Sequence, residues 1–97
     1  MATVHQTVTL TTSGTAYEIM PALGGNGKDV TIQNNNATAN VFIGGPGVTT
    51  SDYGFKLVPN AAIAFELDGT DNIWAVSSTS GATLNIMRID LEGVYVV

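Results

Sequence analysis

A chain of 97 residues with a net charge of −5 and no cysteine has room for one domain with a small core, since about this length buries roughly 60–68% of its unfolded surface. Without cysteine there are neither disulfides nor thiolate metal sites. With Lys28, Lys56 and Arg88 its only cations, it has no basic cluster to displace counterions from a nucleic-acid backbone.

In chain order, the first run, Thr3 to Thr11, sets Val4, Gln6, Val8 and Leu10 against Thr3, His5, Thr7 and Thr9. One face is mostly apolar and the other hydroxylic, which predicts a half-exposed strand. Thr12-Ser13-Gly14 turns the chain into Ala16 to Met20, and Pro21, having no N–H for a ladder, ends that strand. Gly24-Gly25-Asn26-Gly27 reads as a loop, with Asn26-Gly27 suited to positive φ. Val30 to Gln33 and Asn40 to Ile43 then read as two strands of a hairpin joined through Asn34-Asn35-Asn36. Gly44-Gly45-Pro46-Gly47 interrupts the pattern, and Val48 to Ser51 is expected to be a short edge segment.

Phe55 to Val58 is the next strand, closed by Pro59-Asn60. In Ala62 to Leu67, Ile63, Phe65 and Leu67 are expected inward and Ala62, Ala64 and Glu66 outward. Asp68-Gly69-Thr70-Asp71 turns into Ile73 to Ser77, and Ser78 to Gly81 turns into Ala82 to Ile89. No stretch has the period of a helix. Short alternating runs broken by Gly, Asn and Pro predict an all-β fold: a small β-sandwich, jelly-roll-like or barrel-like, of about eight short antiparallel strands. Residues 1–90 form that domain, and its core is expected from Val30, Ile32, Val41, Ile43, Leu57, Ile63, Phe65, Leu67, Ile73, Val76, Leu84 and Ile86.

Residues 91–97 stand apart. Leu91, Val94, Tyr95, Val96 and Val97 make an apolar, β-prone arm or last strand, and left uncovered it would be a sticky edge. The arm and the first strand (Val4, Val8, Leu10) are therefore the expected subunit or partner contacts. Charged residues make up only 11% of the chain, leaving few long side chains to immobilise against a partner.

Residue chemistry points away from catalysis. Activating Ser or Thr requires a histidine held by a carboxylate, and the single imidazole, His5, lies in the exposed register of the first strand. Glu18, Glu66 and Glu92 are far apart in sequence. Asp68, Asp71 and Asn72 share one turn but lack the spacing of a calcium loop, and such residues favour turns on their own account. Gly44 to Gly47 is followed by Val48-Thr49-Thr50, without the lysine and helix of a phosphate-binding loop, so it is expected to be a tight bend permitting close backbone approach. Asn36-Ala37-Thr38 matches a glycosylation sequon. Trp74 and Tyr53 could offer flat rings to sugars, although packing is the expected use of Trp74. Neither a cofactor nor a metal is expected, nor enzymatic activity. With no apolar run near the roughly 20 residues of a membrane span and no signal-peptide pattern, the expectation is a soluble product of the cytoplasm.

From Val30 to Ile89 a series of motifs appears in a familiar order. It runs Val-Thr-Ile-Gln-Asn (30–34), Val-Phe-Ile-Gly-Gly (41–45), Gly54-Phe55-Lys56-Leu57, Pro59-Asn60-Ala61, Asn72-Ile73-Trp74-Ala75-Val76 and Gly81-Ala82-Thr83-Leu84-Asn85-Ile86. The series resembles small β-sandwich capsid decoration and minor head proteins of tailed bacteriophages. Glycine often follows the proline in those proteins, whereas Asn60 stands here; asparagine also tolerates positive φ, so the turn is expected to survive. The resemblance implies an accessory protein on the outer capsid surface of a virion, made in the bacterial host. Its implied partner is the major capsid protein, and a homotrimer is implied by analogy. A tail or head–tail connector subunit, and a glycan-binding module using Trp74 and Tyr53, are the alternatives.

Overall fold

Alternation along the chain produces eight strands in a computed structural model that describes residues 2–22, 27–68 and 70–90. They are β1 (Ala2–Leu10), β2 (Tyr17–Met20), β3 (Lys28–Asn34), β4 (Val41–Gly44), β5 (Phe55–Leu57), β6 (Ala62–Leu67), β7 (Ile73–Ser77) and β8 (Ala82–Asp90). Sheet A has the order β1-β8-β3-β6 and sheet B the order β2-β7-β4-β5, with every pairing antiparallel. Consecutive strands β1 and β2, β3 and β4, β5 and β6, β7 and β8 hold matching positions in opposite sheets. That wrapping is the double Greek key of a jelly roll, so the predicted small all-β sandwich is the fold.

The predicted hairpin between β3 and β4 does not form. The two strands lie in different sheets, and the reason is the chemistry of the asparagine run. Asn34 ends β3 fully buried, and a buried amide must have its donors and acceptor met. Its Nδ2 donates to Ala39 O at 2.8 Å and Leu57 O at 2.9 Å. Its Oδ1 accepts from the backbone N and the Nδ2 of Asn36. Asn36 in turn behaves like a strand partner for β8: Nδ2 donates to Thr83 O and Oδ1 accepts from Thr83 N, both at 2.9 Å. The run therefore staples sheet A to the incoming edge of sheet B. Because the Asn36 amide nitrogen is committed to two acceptors within this clasp, the sequon is folded into the structure.

The main core fills the space between the sheets. Val30, Ile32, Leu84 and Ile86 of sheet A meet Val41, Ile43, Leu57 and Ala75 of sheet B. Leu10, Ile19, Met20, Ala39 and Ala82 join them without having been expected. Ile63, Phe65 and Ile73, expected inside, are only half-buried at the margin. Lys28 is 2% exposed; its ammonium donates to the carbonyls of Asp68 and Asp71 at 3.4 Å, which close one end of the sandwich over it. Asn60 adopts φ 67°, so the turn after Pro59 keeps the conformation that glycine would give it.

Candidate functional site

A sheet ends in two strands whose outer N–H and C=O groups have no ladder partner, and such edges recruit other chains unless blocked. The four edges of this sandwich are protected unequally. In sheet B, β2 carries a register irregularity between Glu18 and Met20 and runs into Pro21, while β5 is three residues long and is soon followed by Pro59. Bulges, prolines and shortness all blunt pairing. In sheet A, β1 extends over nine residues and β6 over six. Their registers against β8 and β3 are unbroken, and neither contains proline or lysine. Among the described residues, β1 and β6 are thus the open edges.

The expected contact residues on β1 divide. Val4 and Val8 are half-buried, and Val8 packs on the core. Leu10 is 0% exposed, so its side chain belongs to the interior and is not available to a partner; a strand that alternates cannot show from sequence alone where the opposite sheet begins to cover it. Leu91, Val94, Tyr95, Val96 and Val97 lie outside the described residues.

A second site gathers around β5. Phe55 pairs with Ile43 and Leu57 with Val41, so Phe55 shares the face turned toward sheet A. Leu57 is fully buried there, whereas Phe55 remains 46% exposed. Across the opening, on β6, Ile63 and Phe65 are half-buried on the facing side of sheet A. Val58, next in the chain, is 49% exposed. The β5–β6 side of the sandwich is therefore an apolar seam. Sequence reading missed it because nothing in Phe-Lys-Leu distinguishes a covered edge strand from an uncovered one.

The outer face of sheet B has a different character. Phe42, Val76 and Val48 form a small buried cluster there, with Ala16 and Trp74 packed against it. The β4–β5 loop, residues 45–54, makes the roof. Val48 lies against Gly44, where a Cβ would meet Val48 Cγ2 at 3.0 Å, and the Tyr53 ring leans on Phe42 with centroids 4.8 Å apart. Val48 to Ser51 is thus part of a roof, not an edge strand, because its valine is drawn onto this cluster. An open cleft of about 240 Å³ remains between Gly44–Val48 and Asp52–Gly54. Trp74 is committed to packing, and its buried Nε1 has no acceptor among the described residues.

The polar candidates are dispersed. His5 stands exposed on the outer face of sheet A, opposite Met87. Asp68 Oδ1 accepts from the backbone N and the hydroxyl of Thr70, and Asn72 donates to Glu18 Oε2 at 3.0 Å. The turn carboxylate thus serves local backbone bonding. Among the described residues no group of three or more His, Cys, Asp or Glu is gathered as metal ligands.

No protein-family model matches the chain, and no curated protein matches it. Among solved structures, a chain from Bacillus endospore appendages, which form a family of disulfide-linked pili, has the same fold. The TM-score is 0.52 at 13% identity, over 94% of this chain and 88% of that one. At that identity the likeness is one of architecture. It nevertheless corrects the functional expectation: this structural neighbour is a pilus protein rather than a phage head protein. The capsid-decoration reading is overturned. The trimer and the major capsid protein as partner came only from that resemblance and lose their ground with it.

Proposed function

We propose that this chain is a non-enzymatic structural subunit that associates with copies of itself into a polymeric appendage. The observation that carries the reading is the pair of unblocked edges, β1 and β6, at opposite sides of one sheet. A subunit that offers a different edge on each side makes head-to-tail contacts, and such contacts generate open polymers when the rotation does not close. Main-chain pairing supplies affinity without a shaped pocket. The architecture shared with an appendage protein supports the same reading.

The linkage must differ from that neighbour's in one respect. Its pili are disulfide-linked, whereas the 97 residues here contain no cysteine. Polymers of this chain are held by strand pairing and apolar contact alone. Negative-stain microscopy of the concentrated protein is expected to show filaments that persist in excess dithiothreitol and disperse in moderate guanidinium chloride. A protein that stays monomeric by light scattering across the accessible concentration range would overturn the proposal.

A further inference from the structure

The outer face of sheet A brings together two side chains whose chemistry the packing does not use. His5 on β1 and Met87 on β8 are direct cross-strand partners, and both are exposed. Residues opposed in this way on one face have Cβ atoms about 4.5–5.5 Å apart. A groove of about 200 Å³ opens at the pair. His5 and Thr7 line it from β1 and Thr31 and Gln33 from β3, with Asn85 and Met87 of β8 between them.

We propose that this pair is a binding site for a soft monovalent cation, Cu(I), held between an imidazole nitrogen of His5 and the Sδ of Met87. Donor chemistry selects the ion. A thioether carries no charge and binds soft ions such as Cu(I), whereas Mg²⁺ and Ca²⁺ take oxygen donors. Zinc sites ordinarily gather three or four nitrogen, sulfur or carboxylate ligands, and among the described residues no group of three or more His, Cys, Asp or Glu is gathered. His5 is the chain's single imidazole. Met20 is buried at 1% exposure, whereas Met87 is 46% exposed, so its thioether is within reach of solvent. The ligands are also held in place by the ladder. The β1–β8 register runs unbroken over nine pairs, and β8 is flanked by β3 on its other side.

The surrounding charge favours a cation. Asp29 and Glu66 are cross-strand partners, both exposed on the same face. They stand two residues along from Thr31 and Ala64, about 7 Å at the usual rise of a strand. None of the three cationic residues shares that face. Lys28 is enclosed, Arg88 has the inward parity of Ile86, and Lys56 belongs to β5 of sheet B. The net field over this face is therefore negative, which raises the local concentration of positive ions. Pairing along the β1 edge leaves the face uncovered, so the site stands whether or not the chain polymerises.

Silver(I) is a redox-inert probe of the same softness. Full-length protein is titrated with silver nitrate in chloride-free buffer, while the methionine methyl and imidazole signals are followed by NMR. The expected result is one ion per chain, with the Met87 methyl and the His5 ring moving along a single binding curve. Loss of a ligand's supporting partner alone weakens metal binding about 10–100-fold. His5→Gln and Met87→Leu, which remove ligands outright, are therefore each expected to weaken it at least about tenfold. Both positions are exposed, so the thermal midpoints of the variants should match the wild type. Zinc sulfate is expected to leave the Met87 methyl unmoved. Silver that shifts His5 but not Met87 would show a lone imidazole and overturn the proposal. Shifts confined to the Met1 methyl, or an affinity unchanged by Met87→Leu, would overturn it equally.

Discussion

The two outer faces of this sandwich are treated in opposite ways. On sheet B the outward positions of β4 and β7 are Phe42, Trp74 and Val76, and the chain returns over them with Val48 and Tyr53. On sheet A the outward rows run His5–Met87–Thr31–Ala64 and Thr7–Asn85–Gln33–Ala62 across the four strands, and no segment of the described chain lies over them. Sheet B is therefore a middle layer with apolar contacts on both faces, whereas sheet A ends the fold. Alternation describes sheet A because one of its faces meets solvent; it fails for sheet B, where both faces are packed. A domain this small gains a second cluster by folding one loop back, and the cost falls on the glycines that permit the approach.

Substitutions under the roof test this contrast most severely. Phe42→Ala removes the ring on which Tyr53 leans and over which Lys56 is placed, and is expected to cost about 3–5 kcal/mol. Since a domain of this kind has about 5–15 kcal/mol in all, the urea midpoint falls sharply. A loss below about 1 kcal/mol would mean that the loop is not a structural layer. Gly44→Ala is milder. Its new Cβ lies 3.0–3.2 Å from Val48, tight enough to lift the valine by a fraction of an ångström, and about 1–2 kcal/mol is expected. The change should appear in thermal melts together with faster proteolysis within 45–54. On the bare face, Met87→Ser is expected to move stability by no more than about 0.5 kcal/mol despite the size of the side chain. A large loss there would show that sheet A's outer face is covered in solution.

The strands were legible because period-two alternation is a backbone property that each segment carries by itself. Their partners were less so. Asn34, Asn35 and Asn36 have the composition of a hairpin turn, and only the burial of Asn34, set by carbonyls at Ala39 and Leu57, turns them into a bridge between sheets. Val-Phe-Ile at 41–43 and Ile-Trp-Ala-Val at 73–76 did carry a readable sign: unbroken apolar runs indicate strands covered on both faces. The second cluster was thus available in principle. Lys28 was not, since a lysine at a strand's start gives no hint that turn carbonyls will enclose it. At the assembly surfaces, the open β1 edge followed from its length and regularity. The seam at Phe55 depends on how far one sheet overhangs the other, which no local pattern encodes.

The enclosure of Lys28 also settles where the protein can be derivatised. The chain has two lysines, and with one shut away at 2% exposure, Lys56 is the side-chain amine open to an acylating dye. It sits on β5 between Phe55 and Leu57, with its ammonium 6.0 Å from the centre of the Phe42 ring. A fluorophore attached there would lie on the outer face of sheet B and report, without further engineering, on whether the 45–54 loop stays seated over Phe42.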